Sequence, residues 1–306
     1  MSMDRTAAFV GLGAMGMGMA RSLLAGGFSV TAYDVNAAAT ASFVEAGGQA
    51  ASSPAQAAQG RVLLLIVVAT AAQAEAVLFG EKGAAPALAA GATVALHSTV
   101  GPEAMQAIGT RLGALGLRLL DAPISGGAAK AALGELTIMA SGEAAAFAAA
   151  DDAFEAMAER VYRLGEGIGV ASTVKMVNQL LAGVHIAAAA EAMALGVRAG
   201  ADPQVLYDVI GNAAGSSWMF QNRVPHMLDG DYTPLSAVEI FVKDLGIVLD
   251  EGRQQRFPLP IAAAAHQQFL AAAAAGFGRE DDSAVVKVYE QLAGIDVSRK
   301  GFKPPD

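Results

Sequence analysis

No cysteine occurs among the 306 residues, which removes disulfides, thiolate metal sites and cysteine nucleophiles together and suits a reducing cytoplasm. Charge is scarce, at 16% of residues, and positive charge scarcer. Twenty lysines and arginines stand against 29 aspartates and glutamates, a formal net charge of −9. Nucleic acids and anionic membrane surfaces attract basic faces, and this composition supplies none, so neither is an expected partner. Only four histidines are present, none at a metal-ligand spacing, so no metal is expected. Bilayer-length apolar runs are nearly absent as well. The uncharged stretch 83–102 is broken by Pro86, Gly91, His97 and Ser98 and reads as loop, strand and turn. The run after Arg5 continues through glycines into Arg21 without a small-residue cleavage site, and reads as no export signal. Apolar residues, by contrast, make up 54% of the chain, which excludes wholesale disorder, and the length predicts two domains.

Short apolar runs alternate with helix-like segments through the first half. They fall at 7–10, 30–33, 62–69, 93–96, 117–120, 136–139 and 161–164. The third is uncharged throughout, as a strand buried on both faces must be. Such runs separated by helices predict a parallel-dominated sheet with helices on both faces, an α/β domain over residues 1–164. Gly165-Glu-Gly-Ile-Gly169 then punctuates the chain as a hinge. Helix formers from about Ala171 to Ala199 predict a helix of about 28 residues, about 42 Å long, which serves as the backbone of a second domain or crosses into a partner subunit. Downstream, Pro203, Pro225, Pro234, Pro258 and Pro260 fall at helix starts and breaks with no strand-like alternation between them. Residues 165–306 therefore read as all-α, with a frayed tail over 300–306.

Gly11-Leu12-Gly13-Ala14-Met15-Gly16 follows the first run directly and opens a helix. Its glycines serve a tight turn, close approach of a pyrophosphate and helix-on-strand packing, the pattern of a Rossmann-type dinucleotide site. Asp34, 18 residues beyond Gly16, sits just beyond the second run, where a carboxylate accepts both ribose hydroxyls and repels a 2′-phosphate. Val35 and Asn36 bring no arginine for such a phosphate, so NAD is the expected cofactor rather than NADP.

A nicotinamide fold also needs a proton-transfer group. Among the histidines only His97, just past a strand end, is a candidate; His185 and His266 read as packing or surface residues. Lys175 and Asn178 share a face of the predicted long helix at i and i+3 and are expected to point into the cleft between the halves. A desolvated lysine there works as acid or base, while a solvated lysine on an exposed turn does nothing of the kind. Ser125-Gly126-Gly127, in the segment Asp121-Ala-Pro-Ile-Ser125, either converges backbone amides on an anion or simply turns the chain. Asp281-Asp282-Ser283 reads as a helix cap.

In order along nearly the whole chain, four segments resemble motifs of the β-hydroxyacid dehydrogenase family, which includes 3-hydroxyisobutyrate dehydrogenase and tartronate semialdehyde reductase. They are Phe9–Ala20, Asp121–Gly127, Lys175-Met-Val-Asn178-Gln179 and Lys243-Asp244-Leu245. The resemblance implies hydride transfer between NAD and a hydroxyl-bearing carbon of a small hydroxy acid, with Lys175 as general acid and base. It implies that Asn178 holds the reacting hydroxyl or a neighbour, that Ser125, Gly126 and Gly127 bind the substrate carboxylate, and that Thr99 and Lys243 line the nicotinamide. Where the family often carries Leu-Pro-Asn this chain has Val68-Ala69-Thr70, so cofactor contacts at Val68 and Ala69 are expected through the backbone. Leu96 and His97 stand before Ser98-Thr99 where an aspartate is common, a departure bearing on substrate selectivity. Segments 179–187, 215–225 and 231–236 are most similar to a branch acting on a four-carbon sugar acid. Trp218 and Phe241 are candidate walls of the substrate pocket, or else ordinary core aromatics. The resemblance further implies a homodimer or homotetramer built through the alanine-rich helix. Imine reductases share the architecture but usually lack this lysine, and a non-catalytic NAD-binding scaffold would need neither Lys175 nor Asn178.

Overall fold

The computed structural model describes residues 5–302, so residues 303–306 of the expected frayed tail lie outside the described residues. The chain divides into two compact units, the first running to Lys175 and the second beginning at Met176.

In the first unit, strands β1 (Thr6–Val10), β2 (Ser29–Tyr33), β3 (Gln49–Ala50), β4 (Leu63–Ile66), β5 (Thr93–Leu96) and β6 (Arg118–Asp121) form one parallel sheet in the order β3-β2-β1-β4-β5-β6. Helices α1 (Gly16–Ala25), α2 (Ala37–Glu45), α3 (Pro54–Ala58), α4 (Ala71–Phe79), α5 (Pro102–Ala114), α6 (Gly127–Leu133) and α7 (Ala144–Met157) lie between and after them. Alternate residues of each strand serve opposite faces. Phe9, Leu65 and Ala95 join Met19, Leu23 and Phe154 in one core, whereas Val10, Leu64, Ile66, Val94 and Leu96 join Ala74, Met105 and Ile108 in the other. That is why runs such as 62–69 are apolar without interruption.

The later runs do not extend this sheet. Residues Ile124–Ser125 (β7), Leu136–Ala140 (β8) and Ala158–Arg163 (β9) form a separate three-stranded sheet, antiparallel between β7 and β8 and parallel between β8 and β9. Apolarity marks a strand but carries no information about its partner, so one sheet was expected where two exist.

The long helix appears as α8, Val170–Arg198, 29 residues. By length and composition it is apolar enough to cross a membrane; Ile186, Ala190 and Met193 on it contribute to the core of the helical unit. The rest of that unit is α9 (Pro203–Gly211), α10 (Trp218–Asp229), α11 (Val238–Gln254), α12 (Pro260–Ala272) and α13 (Val286–Ala293). Pro203 and Pro260 open α9 and α12 as expected. Pro225 instead lies inside α10. A proline there leaves the carbonyl four residues earlier without its helical donor, and the Tyr207 hydroxyl donates to that carbonyl, Gln221 O, at 3.3 Å.

Candidate active site

Register brings the carboxyl ends of the central strands level: Val10 pairs with Tyr33 and Ile66, and Ile66 with Leu96. The loops bearing Gly11–Gly16, Asp34, Val68, Ala69 and Thr99 therefore leave the sheet from one edge, at the point where strand order reverses about β1. Ligands of open α/β sheets bind at that place.

The glycines fit a dinucleotide, each for a different steric reason. Gly11 sits at φ +100°, and a Cβ there would lie 2.0 Å from Val67 O; at Gly16 it would lie 1.9 Å from Gly11 O. At Gly13, which is exposed, a Cβ would meet no atom within 4 Å, so the space above it is open to a phosphate. No side chain caps the N-terminus of α1, leaving its amides and the positive end of its dipole for an anion. Asp34 closes the turn: Leu12 N–H donates to Oδ2 at 2.6 Å and Asn36 N–H to Oδ1 at 2.7 Å. Each carboxylate oxygen has a second lone pair, enough for a ribose hydroxyl.

The loop after β4 differs from expectation in one respect. The Val68 amide donates to Ser98 Oγ, and those of Ala69 and Thr70 to Gln73 Oε1, so only carbonyls remain there as backbone contacts. Ser98, buried beside the half-buried Thr99, is what holds this loop. His97 is structural. Its Nδ1 lies 2.7 Å from Ala122 O, its ring packs edge-on to Phe154, and burial pushes it down to about 4.

Asp121 is more than a strand end. Fully buried, it accepts hydrogen bonds from Gly169 N–H (3.0 Å), Ser172 N–H (2.9 Å) and Ser172 Oγ (2.8 Å), so it caps α8 with a carboxylate set at the positive end of the dipole. Burial raises its carboxyl above the ordinary value, and those bonds pull the other way. Three residues after Ser172 comes Lys175, only 7% exposed: the exposed-turn reading fails, and the ammonium-bearing chain is held largely out of water. Three residues after Asp121, β7 leads into Ser125, Gly126 and Gly127. Gly126 (φ +138°) and Gly127 (φ +75°) adopt backbone that favours glycine, and both are exposed at the uncapped start of α6. One buried carboxylate thus joins the serine-glycine loop to the start of the lysine helix.

In the helical unit, Gln179 Nε2 donates to Asp244 Oδ2 at 2.6 Å and Asn178 Nδ2 to Gln179 Oε1 at 3.0 Å, while Lys243 Nζ lies 2.5 Å from Asp244 Oδ1. Gln179 and Asp244 both lie in segments that resemble family motifs, but neither was given a role of its own from the sequence. Phe241 is a core aromatic, stacked on Phe269 with centroids 5.1 Å apart. Trp218, first residue of α10, is 68% exposed, so it is not a core residue. Asp281 caps the turn before α13 as expected, accepting from Ser283 N–H. Asp282 does not share that role; it forms a buried bidentate pair with Arg223.

A parallel sheet in this order, with a glycine cradle and an aspartate at its carboxyl edge, defines a dinucleotide-binding fold. Comparison with known proteins gives the family. Residues 6–165 match the NAD binding domain of 6-phosphogluconate dehydrogenase, and residues 169–289 the NAD-binding domain of NADP-dependent 3-hydroxyisobutyrate dehydrogenase. The chain is 57% identical to an L-threonate dehydrogenase of Cupriavidus necator, over 94% of this chain and 97% of that one. It is 35% identical to a 2-(hydroxymethyl)glutarate dehydrogenase of Eubacterium barkeri, over 95% and 96%. A solved structure described as 3-hydroxyisobutyrate dehydrogenase from Salmonella typhimurium superposes with a TM-score of 0.87 at 51% identity, covering 93% of this chain and all of that one. The protein belongs to the β-hydroxyacid dehydrogenase family, of the 3-hydroxyisobutyrate dehydrogenase type, and is an NAD-dependent dehydrogenase.

Proposed function

We propose that the enzyme oxidises L-threonate at C2 to 2-oxo-tetronate, with Lys175 as general base. The carrying observation is the Asp121 tie, which fixes the start of α8, and so Lys175, to the strand that leads into Ser125–Gly127. Relatives named L-threonate dehydrogenase at 50–57% identity support the choice of acid. NAD, when bound, would supply the acceptor for the C2 hydride. Lys175 Nζ takes the proton of the C2 hydroxyl and returns it in the reverse direction. Ser125 Oγ and the amides of Gly126 and Gly127 hold the substrate carboxylate, fixed donors by which a protein of charge −9 retains an anion. Asn178 orients the substrate; Thr99 and Lys243 line the nicotinamide side; Gly11 to Gly16 cradle the pyrophosphate. Asp34 binds the ribose and favours NAD over NADP, with carbonyls of Val68 and Ala69 alongside. Trp218, exposed at the start of α10, fits a wall of the substrate site better than Phe241, which its packing occupies. The exposed Val174, Val177 and Leu181 of α8 and Val205 and Val209 of α9 support assembly as a homodimer or homotetramer, and a chain without thiols suits the cytoplasm.

A second reading, 3-hydroxyisobutyrate as substrate, is favoured by the description of the Salmonella structure. NADH formation with L-threonate, D-threonate, D-erythronate, 3-hydroxyisobutyrate and D-glycerate separates the two: the proposal expects a preference for L-threonate of about a hundredfold or more, the scale a hydroxyl-reading site reaches. Equal or better rates with 3-hydroxyisobutyrate would overturn it. Replacing Lys175→Met is expected to lower turnover by about a hundredfold or more, with NADH binding followed by fluorescence unchanged; retention of more than about a tenth of the rate would remove Lys175 from the role.

A further inference from the structure

Resting on the proposed role of Lys175, the geometry points to Asp244 and Gln179 as positioning residues that fix the orientation of the Asn178 carboxamide, making Asn178 a reader of a second substrate hydroxyl beside the one oxidised. Asp244 is 2% exposed on α11, where a carboxylate is costly to bury and an apolar residue would not be. As a carboxylate it only accepts hydrogen bonds. Gln179 must therefore turn its Nε2 toward Asp244, at 2.6 Å, which leaves Oε1 toward Asn178. Oε1 in turn accepts only, so Asn178 must spend Nδ2 on it, at 3.0 Å. Asn178 then keeps its carbonyl oxygen, Oδ1, as an acceptor of fixed direction beside the second Nδ2 hydrogen, on an exposed residue of α8.

An amide would flip freely in a site that did not dictate its polarity. Here the dictation runs through two buried groups held by close helix contact. One turn after Gln179, a Cβ on Gly183 would lie 2.9 Å from Phe241 Cδ1 and 3.0 Å from Leu245 Cδ1, so α8 and α11 approach at the distance the Gln179–Asp244 bond requires.

Proton accounting then identifies what Oδ1 reads. A hydroxyl has one hydrogen. The hydroxyl being oxidised gives its hydrogen to Lys175 Nζ and cannot also donate it to Asn178. An acceptor at Asn178 is therefore matched to a different hydroxyl, on the neighbouring carbon. The preferred substrate class is a 2,3-dihydroxy acid, and an acid with a single hydroxyl leaves Oδ1 without its donor, at the cost that attends an unpaired polar group.

The test compares L-threonate with its 3-deoxy analogue, 2,4-dihydroxybutanoate, in the full-length enzyme. Wild type is expected to favour L-threonate in kcat/KM, and Asn178→Ala to lose most of that preference. Gln179→Met, which keeps side-chain length and removes the relay, is expected to lower kcat/KM for L-threonate about tenfold and for the deoxy acid less than about twofold. In the Asn178→Ala background it should lower neither. The double variant Gln179→Glu with Asp244→Asn restores the polarity by exchanging donor and acceptor, and should recover most of the loss. Melting temperature and NADH affinity are followed in each. Equal losses for both acids, or the same loss with Asn178 already removed, would show that Gln179 is structural and overturn this inference alone. Full turnover of L-threonate by Asn178→Ala would overturn this inference and the orienting role given to Asn178, whereas no turnover of L-threonate by the unaltered enzyme would overturn the proposed function with it.

Discussion

At the scale of single residues, two buried side chains set the measurable behaviour of the nucleotide unit. Asp121 holds four donors with one charge, Ser141 Oγ at 3.5 Å being the fourth, and Asp121→Asn keeps the shape but turns an amide hydrogen toward those donors. A loss of stability of about 2 kcal/mol is expected, read as a lower urea midpoint. Turnover should fall with it while KM for NAD stays, because the glycine loop is untouched. His97 gives the pH dependence. Unfolded histidine takes a proton near pH 6.5, whereas the folded ring resists until about 4. Between those values the unfolded chain binds a proton that the folded chain refuses, so this stability is complete above about 6.5 and falls by up to about 1.4 kcal/mol per pH unit on acidification. Asp282 acts in the opposite sense, since burial pushes it up to about 6 against the attraction of Arg223; its folded form gains a proton as the pH falls through 6. His97→Gln should therefore flatten the acid limb of the urea midpoint between pH 7 and 5. An unchanged slope would show that the histidine contributes nothing there.

Elements explain what was legible beforehand. Strands β1, β2, β4 and β5 were readable because both their faces are buried, and so was α8, whose bounds fall within a residue of expectation. Strands β3 and β7 are two residues each, too short to carry any alternation, and β9 exposes most of its residues. Its pairing with β8 depends on the chain between them, which no local pattern encodes. The same distinction runs through the site. Gly11–Gly16 and Asp34 announce themselves through backbone requirements at fixed spacing. Gln179 and Asp244 are 65 positions apart and meet only because a glycine lets two helices close, and Ser172 meets Asp121 across 51. A testable consequence concerns α1 and α6: a Cβ on Gly18 would lie 2.7 Å from Ala132 N and 2.8 Å from Ala131 C, both backbone. Gly18→Ala is expected to cost about 2 kcal/mol by overpacking, seen as a lowered melting temperature, whereas Gly13→Ala should leave melting nearly unchanged and weaken NADH binding instead.

For the molecule as a whole, charge and connectivity matter most. A protein of net charge −9 approached by an acid works against its own long-range field, which salt screens. With NAD saturating, kcat/KM for the acid should rise by up to about threefold as ionic strength goes from about 10 to 150 mM; a steep fall would mean that local cations, not the net charge, govern encounter. Connectivity bears on recombination between relatives. The carboxylate that caps α8 belongs to the nucleotide unit, and the carboxylate that orders its next turn belongs to the helical unit. A chimera joined in the glycine loop at 165–169 would take Ser172 from one parent and Asp121 from the other, and a junction beyond Gln179 would split the other pair. Among crossovers between Asp121 and Asp244, only one between Ser172 and Asn178, inside the continuous helix α8, inherits each tie intact from a single parent.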